Sequence, residues 1–245
     1  MGANRATAEQ TPHRPAPTDG TDIGAGSGVG SSTTNRPSFT SIPPAPGVYR
    51  YMEAAELVSP EPDDAAEPKR HELEANIAIE RAGRRVFEHY SLSSPSDPQV
   101  LTSKFVYEWT PTGKHEVRVR YGDDAWCEHE SPRLVIPIPA TESSAWVSPA
   151  TTCGGGRSET HHRVTGLATL ELGGRQRRCL LVESSWKQRL REDSPTWIES
   201  SRLSWFSPDL GLSIKHVERQ SWGEDDAYTQ VTRTLTHLPP EARKR

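Results

Sequence analysis

Leu73, Ala75, Ile77 and Ile79 alternate with Glu72, Glu74, Asn76 and Glu80. A chain written with a period of two can bury one row of side chains only as an extended β-strand. The same period recurs downstream. Phe105, Tyr107 and Trp109 alternate, the turn residues Thr110-Pro111-Thr112-Gly113-Lys114 follow, and Val117, Val119 and Tyr121 then alternate with Arg118 and Arg120, which reads as a hairpin. Val164, Gly166, Ala168, Leu170 and Leu172 lead into Gly173-Gly174. The returning strand carries Leu180 and Val182 on one face and Cys179 and Leu181 on the other. Residues 196–206, 210–220 and 227–238 read as three more strands, separated by Ser207-Pro208-Asp209 and Gly223-Glu224-Asp225-Asp226. Only 62–70, and the short stretch 53–57, leave room for a helix, and Pro60, Pro62 and Pro68 oppose one. The expected class is all-β and mainly antiparallel, a large twisted open sheet or half-barrel.

Residues 1–45 differ in kind. They are mostly Gly, Ser, Thr, Pro and Ala with a single aromatic, Phe39, and cannot bury enough apolar area to offset their ordering entropy. The glycines between Gly24 and Gly30 match neither G-x-x-x-x-G-K-[ST] nor G-x-G-x-x-G, so they form no phosphate-binding loop. The sequence therefore divides into a disordered leader or tether, 1–45, and a single antiparallel β domain, 46–245. Nothing within the latter resembles a linker between two cores.

The formal net charge of -4 removes the basic excess that nucleic-acid binding would need. No apolar run approaches the roughly 20 residues of a membrane-spanning helix. Arginines are expected at exposed strand positions. Seven tryptophans against four phenylalanines is a bias, and such rings fill a broad sheet face or line a groove for an apolar or sugar ligand.

Three cysteines leave at least one unpaired. Cys127 and Cys153 stand in turn-rich segments, where a bridge would contribute roughly 3 to 4 kcal/mol by the chain-entropy model; two reduced thiols are the alternative. Cys179, inside an apolar alternation, reads as core. Cys127, His129 and Cys153, with His161 or His162, are the residues a zinc ion would use, but the C-x-x-C pairs of such sites are missing and no metal or cofactor is expected. Adjacent residues on a strand face opposite ways, so at most one of His161 and His162 can enter a common site. The acidic run Glu224-Asp225-Asp226 lacks the interleaved spacing of a calcium loop. No G-x-S-x-G elbow marks a serine nucleophile, and no catalytic residue is assigned.

The stretch Pro44 to Tyr51, the pair Trp126-Cys127 with Cys153, the strand Val164-Thr165-Gly166 and the run Trp205 to Leu212 together resemble an actinobacterial family of envelope proteins of unknown function. The resemblance spans residues 43–238. It implies a membrane or lipid anchor, a low-complexity linker and then this β domain, hence an extracytoplasmic or cell-envelope location, although no signal or anchor is visible in this sequence. The turn from Trp205 to Leu212 is also similar to lipoprotein-carrier-like half-barrels. The leading expectation is a non-enzymatic, envelope-facing domain that binds an apolar or envelope ligand or a protein partner. A hydrolase with dispersed Ser, His and Asp residues is the rival, and a purely structural surface domain is the third reading.

Overall fold

The computed structural model describes residues 38–58, 71–94, 97–189, 196–222 and 228–243. Most of the leader, the proline-rich 59–70 and the acidic run 224–226 lie outside them. The described residues form twelve strands: β1 (Gly47–Val58), β2 (His71–Ala82), β3 (Arg85–Ser94), β4 (Asp97–Thr110), β5 (Gly113–Tyr121), β6 (Cys127–Pro137), β7 (Ala145–Ser148), β8 (Thr160–Leu172), β9 (Arg175–Gln188), β10 (Ile198–Ser207), β11 (Leu212–Trp222) and β12 (Tyr228–His237). A 3-10 turn, Cys153–Gly155, and a helical turn, Pro240–Arg243, are the other elements among the described residues. Residues 53–57, one of the two places left open for a helix, lie within β1.

All twelve strands belong to one sheet in the order β6-β5-β4-β3-β2-β1-β12-β11-β10-β9-β8-β7, each pair antiparallel. The expected single antiparallel sheet is therefore present, and it curls into a nearly closed barrel. Every neighbour is a sequential hairpin except β1 and β12, whose pairing joins the two ends of the domain. Register shifts in β4–β5, β5–β6, β8–β9 and β10–β11 supply the extra bend that curling needs.

The edge strands β6 and β7 meet without a ladder. Trp146 Nε1 donates to the Leu134 carbonyl at 3.1 Å, the Ser148 hydroxyl donates to the same oxygen, and Arg133 reaches Thr160 Oγ1 at 2.9 Å. Side chains thus hold the seam where backbone pairing stops.

One end of the barrel is packed solid. Tyr49, Ile79, Val86, Ile136, Leu180, Phe206, Ile214 and Leu235 are each at most 6% exposed and belong to one cluster. Residues 38–45, assigned to the leader by composition, pack against this end. Phe39 and Ala140 exchange backbone hydrogen bonds at 2.8 and 3.0 Å, Ile42 N–H donates to the Pro208 carbonyl, and Ala45 is 1% exposed and accepts from the Tyr49 hydroxyl. Composition misplaced the boundary because prolines and small residues need little side-chain burial when they follow an existing surface closely. Gly211 makes that approach possible. It sits at φ +71°, and a Cβ there would lie 2.0 Å from the Ile42 carbonyl oxygen.

Candidate functional site

Along each strand the inward row changes character. In β11 it runs Leu212, Ile214, His216, Glu218, Gln220; in β10, read the other way, it runs Phe206, Ser204, Arg202, Ser200. The apolar members fill the packed end. Of the polar members, Arg202, His216, Glu218 and Gln220 line a cavity of about 430 Å³ at the other end, within the range of small-molecule sites. The expectation that arginines occupy exposed positions fails here: Arg133 is 6% exposed, and Arg157, Arg202 and Arg233 also line the cavity. Strand alternation places a residue inward or outward regardless of its polarity, and a hollow barrel end leaves room for several charges; Arg177 of β9, 3% exposed, is a buried arginine outside the cavity lining.

Most of the buried charges are paired. Arg233 Nε donates to Glu53 Oε2 at 2.6 Å, the Tyr90 hydroxyl donates to the same oxygen, and Arg233 Nη2 donates to Tyr90 at 2.9 Å. Lys114 holds Glu88 at 2.8 Å while lying 3.8 Å above the Tyr107 ring. Glu218 accepts from Arg202 Nε at 2.8 Å and from Gln220 at 2.7 Å. Glu116 meets His129 Nε2 at 2.8 Å, and His129 Nδ1 meets Thr151 Oγ1 at 3.1 Å.

Burial alone would raise both glutamate pKa values. At Glu116 the His129 hydrogen bond and charge, with Arg133 and Arg157, override it, and at Glu218 Arg202 and Gln220 do, so both carboxyls are held below their ordinary value. His216 is pushed well below its ordinary value by burial and then by Arg202 and Arg233, and stays neutral. Where both partners are buried, as in Lys114 and Glu88, desolvation costs several kcal/mol per ion, which their attraction only partly returns. A barrel selected for stability alone would be filled with apolar side chains here.

Arg133 and Arg157 stand apart from this pairing. Arg133 donates to Thr160 Oγ1, and Arg157 lies 4.9 Å over the Trp186 ring. Among the described residues neither has a carboxylate within ion-pair distance. The backbone carrying Arg157 is fixed on two sides, by reciprocal hydrogen bonds with Thr151 and by Arg189 N–H to the Gly156 carbonyl.

A disulfide joins Cys127 at the start of β6 to Cys153, with Cα atoms 5.7 Å apart, and it ties the segment bearing Arg157 to the barrel wall. With both sulfurs in that bond, the residues a zinc site would draw on offer no thiolate pair; His129 Nδ1 lies 3.6 Å from Cys153 Sγ and its other nitrogen belongs to Glu116. Cys179 is buried and free, its thiol pushed up to about 12 by burial and by Asp209. Tryptophans do not line the cavity as a groove. Trp109 is core, Trp186 is sandwiched by Arg157 and Arg202, and Trp126 lies beneath Arg118 and Arg120.

The hydrolase reading meets its best candidate at His162. Its Nε2 is 3.0 Å from Ser148 Oγ and its Nδ1 is 2.8 Å from Ser184 Oγ, while exposed His161 faces the other way. The proton order decides the matter. A carbonyl only accepts, so the Ser148 hydrogen goes to Leu134, His162 Nε2–H must donate to Ser148, and Nδ1 accepts from Ser184. In this order the basic nitrogen Nδ1 faces the Ser184 hydroxyl and not Ser148, and among the described residues no carboxylate is hydrogen-bonded to the ring to orient it as a triad requires. Burial, followed by Arg133, Arg202 and Arg157, pushes His162 down to about 4, so the neutral ring ties β8 to its neighbours β7 and β9 beside the seam.

No family model and no curated protein matches this chain. Among solved structures it is similar to a "putative lipoprotein from Parabacteroides distasonis ATCC 8503", at 11% identity and a TM-score of 0.40, covering 83% of this chain and 100% of that one. A likeness of that size carries no argument about function.

Proposed function

We propose that this is a non-enzymatic, envelope-facing β-barrel domain that binds a small polar ligand in the cavity at its charged end. One observation carries the reading: a barrel packed solid at one end keeps a hollow of about 430 Å³ at the other, lined by buried charges that cost stability. The lining turns the ligand expectation from apolar to polar. The disulfide supports an oxidising compartment, where such bonds persist, as does the sequence resemblance to envelope proteins. A purely structural role leaves the charged interior without a reason, and the hydrolytic reading finds at His162 no carboxylate bonded to the ring among the described residues.

The test fills the hollow. Ser103 of β4 lines the cavity between Tyr90 and Tyr121. Benzoate, benzamide, glutamate and glucose are titrated calorimetrically against the wild type and Ser103→Trp, with circular dichroism confirming the fold of each. Binding by the wild type that is lost in Ser103→Trp supports the proposal. Absence of binding by all four probes, or undiminished binding by the filled variant, overturns it.

A further inference from the structure

Resting on that reading, we infer that the ligand is an organic oxyanion whose charged group sits between Arg133 and Arg157. The argument is one of charge balance. Buried ions are normally paired, because a lone one forfeits its hydration without compensation. Glu53 is taken by Arg233, Glu88 by Lys114 and Glu218 by Arg202. Glu116 is bonded to His129; even when its charge is set against one of the two remaining guanidinium groups, the other stays uncompensated. The four carboxylates of the lining thus face its four arginines and also Lys114, which holds Glu88 from beside the cavity, an excess of one positive charge.

Geometry makes the excess usable. Arg133 is fixed by Thr160 on β8, and Arg157 by stacking on Trp186, so each guanidinium is held in place with donors to spare. Both belong to the seam region, Arg133 on β6 and Arg157 on the segment tied there by the disulfide, so a bridging oxyanion would complete a closure that backbone pairing leaves open. Burial and the neighbouring Arg157 work against the charge on Arg133 and lower its pKa, strain that an anion relieves. Beyond the arginines the wall turns less polar at Tyr90, Phe105, Val119 and Val231, which suits a compact organic body. Tyr121, 36% exposed, stands at the rim.

Planar and tetrahedral oxyanions share this chemistry, so the experiment uses both. Benzoate, phenyl phosphate, inorganic phosphate and neutral benzamide are titrated against the wild type, Arg157→Gln, Arg133→Gln and Ser103→Trp in chloride-free buffer. Benzoate or phenyl phosphate is expected to bind at least tenfold more tightly than benzamide and to lose at least tenfold in Arg157→Gln, a half-exposed position whose change leaves the core intact. Whichever of the two binds more tightly identifies a carboxylate or a phosphate ester. Inorganic phosphate binding as tightly as both would overturn the organic body.

A second readout separates binding from architecture. Without anion, Arg133→Gln is expected to melt no lower than the wild type, since it removes an uncompensated charge; a lower melting temperature would make Arg133 a structural residue and sink the inference. Benzamide binding as well as benzoate, insensitive to Arg157→Gln but abolished by Ser103→Trp, would overturn the oxyanion and keep the cavity. No binding by any of these probes would overturn the oxyanion, and the cavity reading with it when glutamate and glucose also fail to bind.

Discussion

The two ends of this barrel are built by the same twelve strands on the same period of two, yet one is filled and the other hollow. At the closed end Tyr49, Ile79, Leu180 and Ile214 meet in a dry cluster, hairpin turns are short, and residues 38–45 lie across the packing. At the charged end the same inward rows present Glu53, Arg202, Glu218 and Arg233, and the seam is fastened by a disulfide and by side chains. Burial of apolar area, at roughly 25 cal/mol per Å², therefore concentrates its stabilisation at one end. The other end is free to carry groups whose value lies in what they hold. Separating a rigid support from a costly site lets each be set independently.

The largest expected effect contrasts neighbours two residues apart on β2. Ile79 is 3% exposed in the closed cluster, whereas Ile77 lines the cavity. Ile79→Asp buries an unpaired carboxylate and is expected to cost at least about 4 kcal/mol, a large part of a typical domain's total stability. Ile77→Asp, beside a polar hollow, is expected to cost about 1 to 2 kcal/mol. Urea denaturation measures both, and equal losses would erase the distinction between the ends.

Next in size is the covalent tie. Cys127 and Cys153 are 26 residues apart, and the chain-entropy model gives about 3.5 kcal/mol for closing such a loop. Denaturation of oxidised protein with and without reductant should differ by that amount. Protein folded under oxidising conditions should resist alkylation at both positions; alkylation of both in native protein would remove the tie and leave the charged end held by side chains alone.

The smallest effect sharpens the seam. His162 has a folded pKa near 4 against 6.5 unfolded, so its neutral form belongs to the native state. The unfolded chain takes up its proton first. The stabilisation is accordingly complete above pH 6.5 and lost as pH falls towards 4, by up to about 3 kcal/mol. His162→Asn should flatten that limb of the stability profile, and an unchanged slope would show that the buried ring beside the seam does not set it.

The hairpins were legible because their turns and alternation are local. Gly173-Gly174 and Thr110 to Gly113 mark β8–β9 and β4–β5 with no need of tertiary information. Two things were not legible. The packed stretch 38–45 has no pattern of its own, since its place depends on the surface it follows. The cavity was hidden because alternation distinguishes one face from the other but not a wet outside from a polar inside. In Lys215-His216-Val217-Glu218-Arg219-Gln220 the charged residues fall on both rows, and only the curl of the sheet tells which row enters the hollow. Glu116, Arg133, Arg202 and Arg233 were each readable as surface charge.

The pairing of β1 with β12 gives this domain a vulnerable period during its own synthesis. Strands β1 to β6 can complete their hairpins as they emerge, but the second edge of β1 has no partner until Tyr228 to His237 have been made; Thr236 reaches the Arg50 carbonyl across 186 residues. Throughout that interval its backbone donors and acceptors offer a template to any other extended chain, a second nascent copy included. The strand made last is the one that stops the sheet from growing. A chain cut short before Tyr228 is thus expected to accumulate as edge-paired assemblies instead of folding as a barrel with one strand missing.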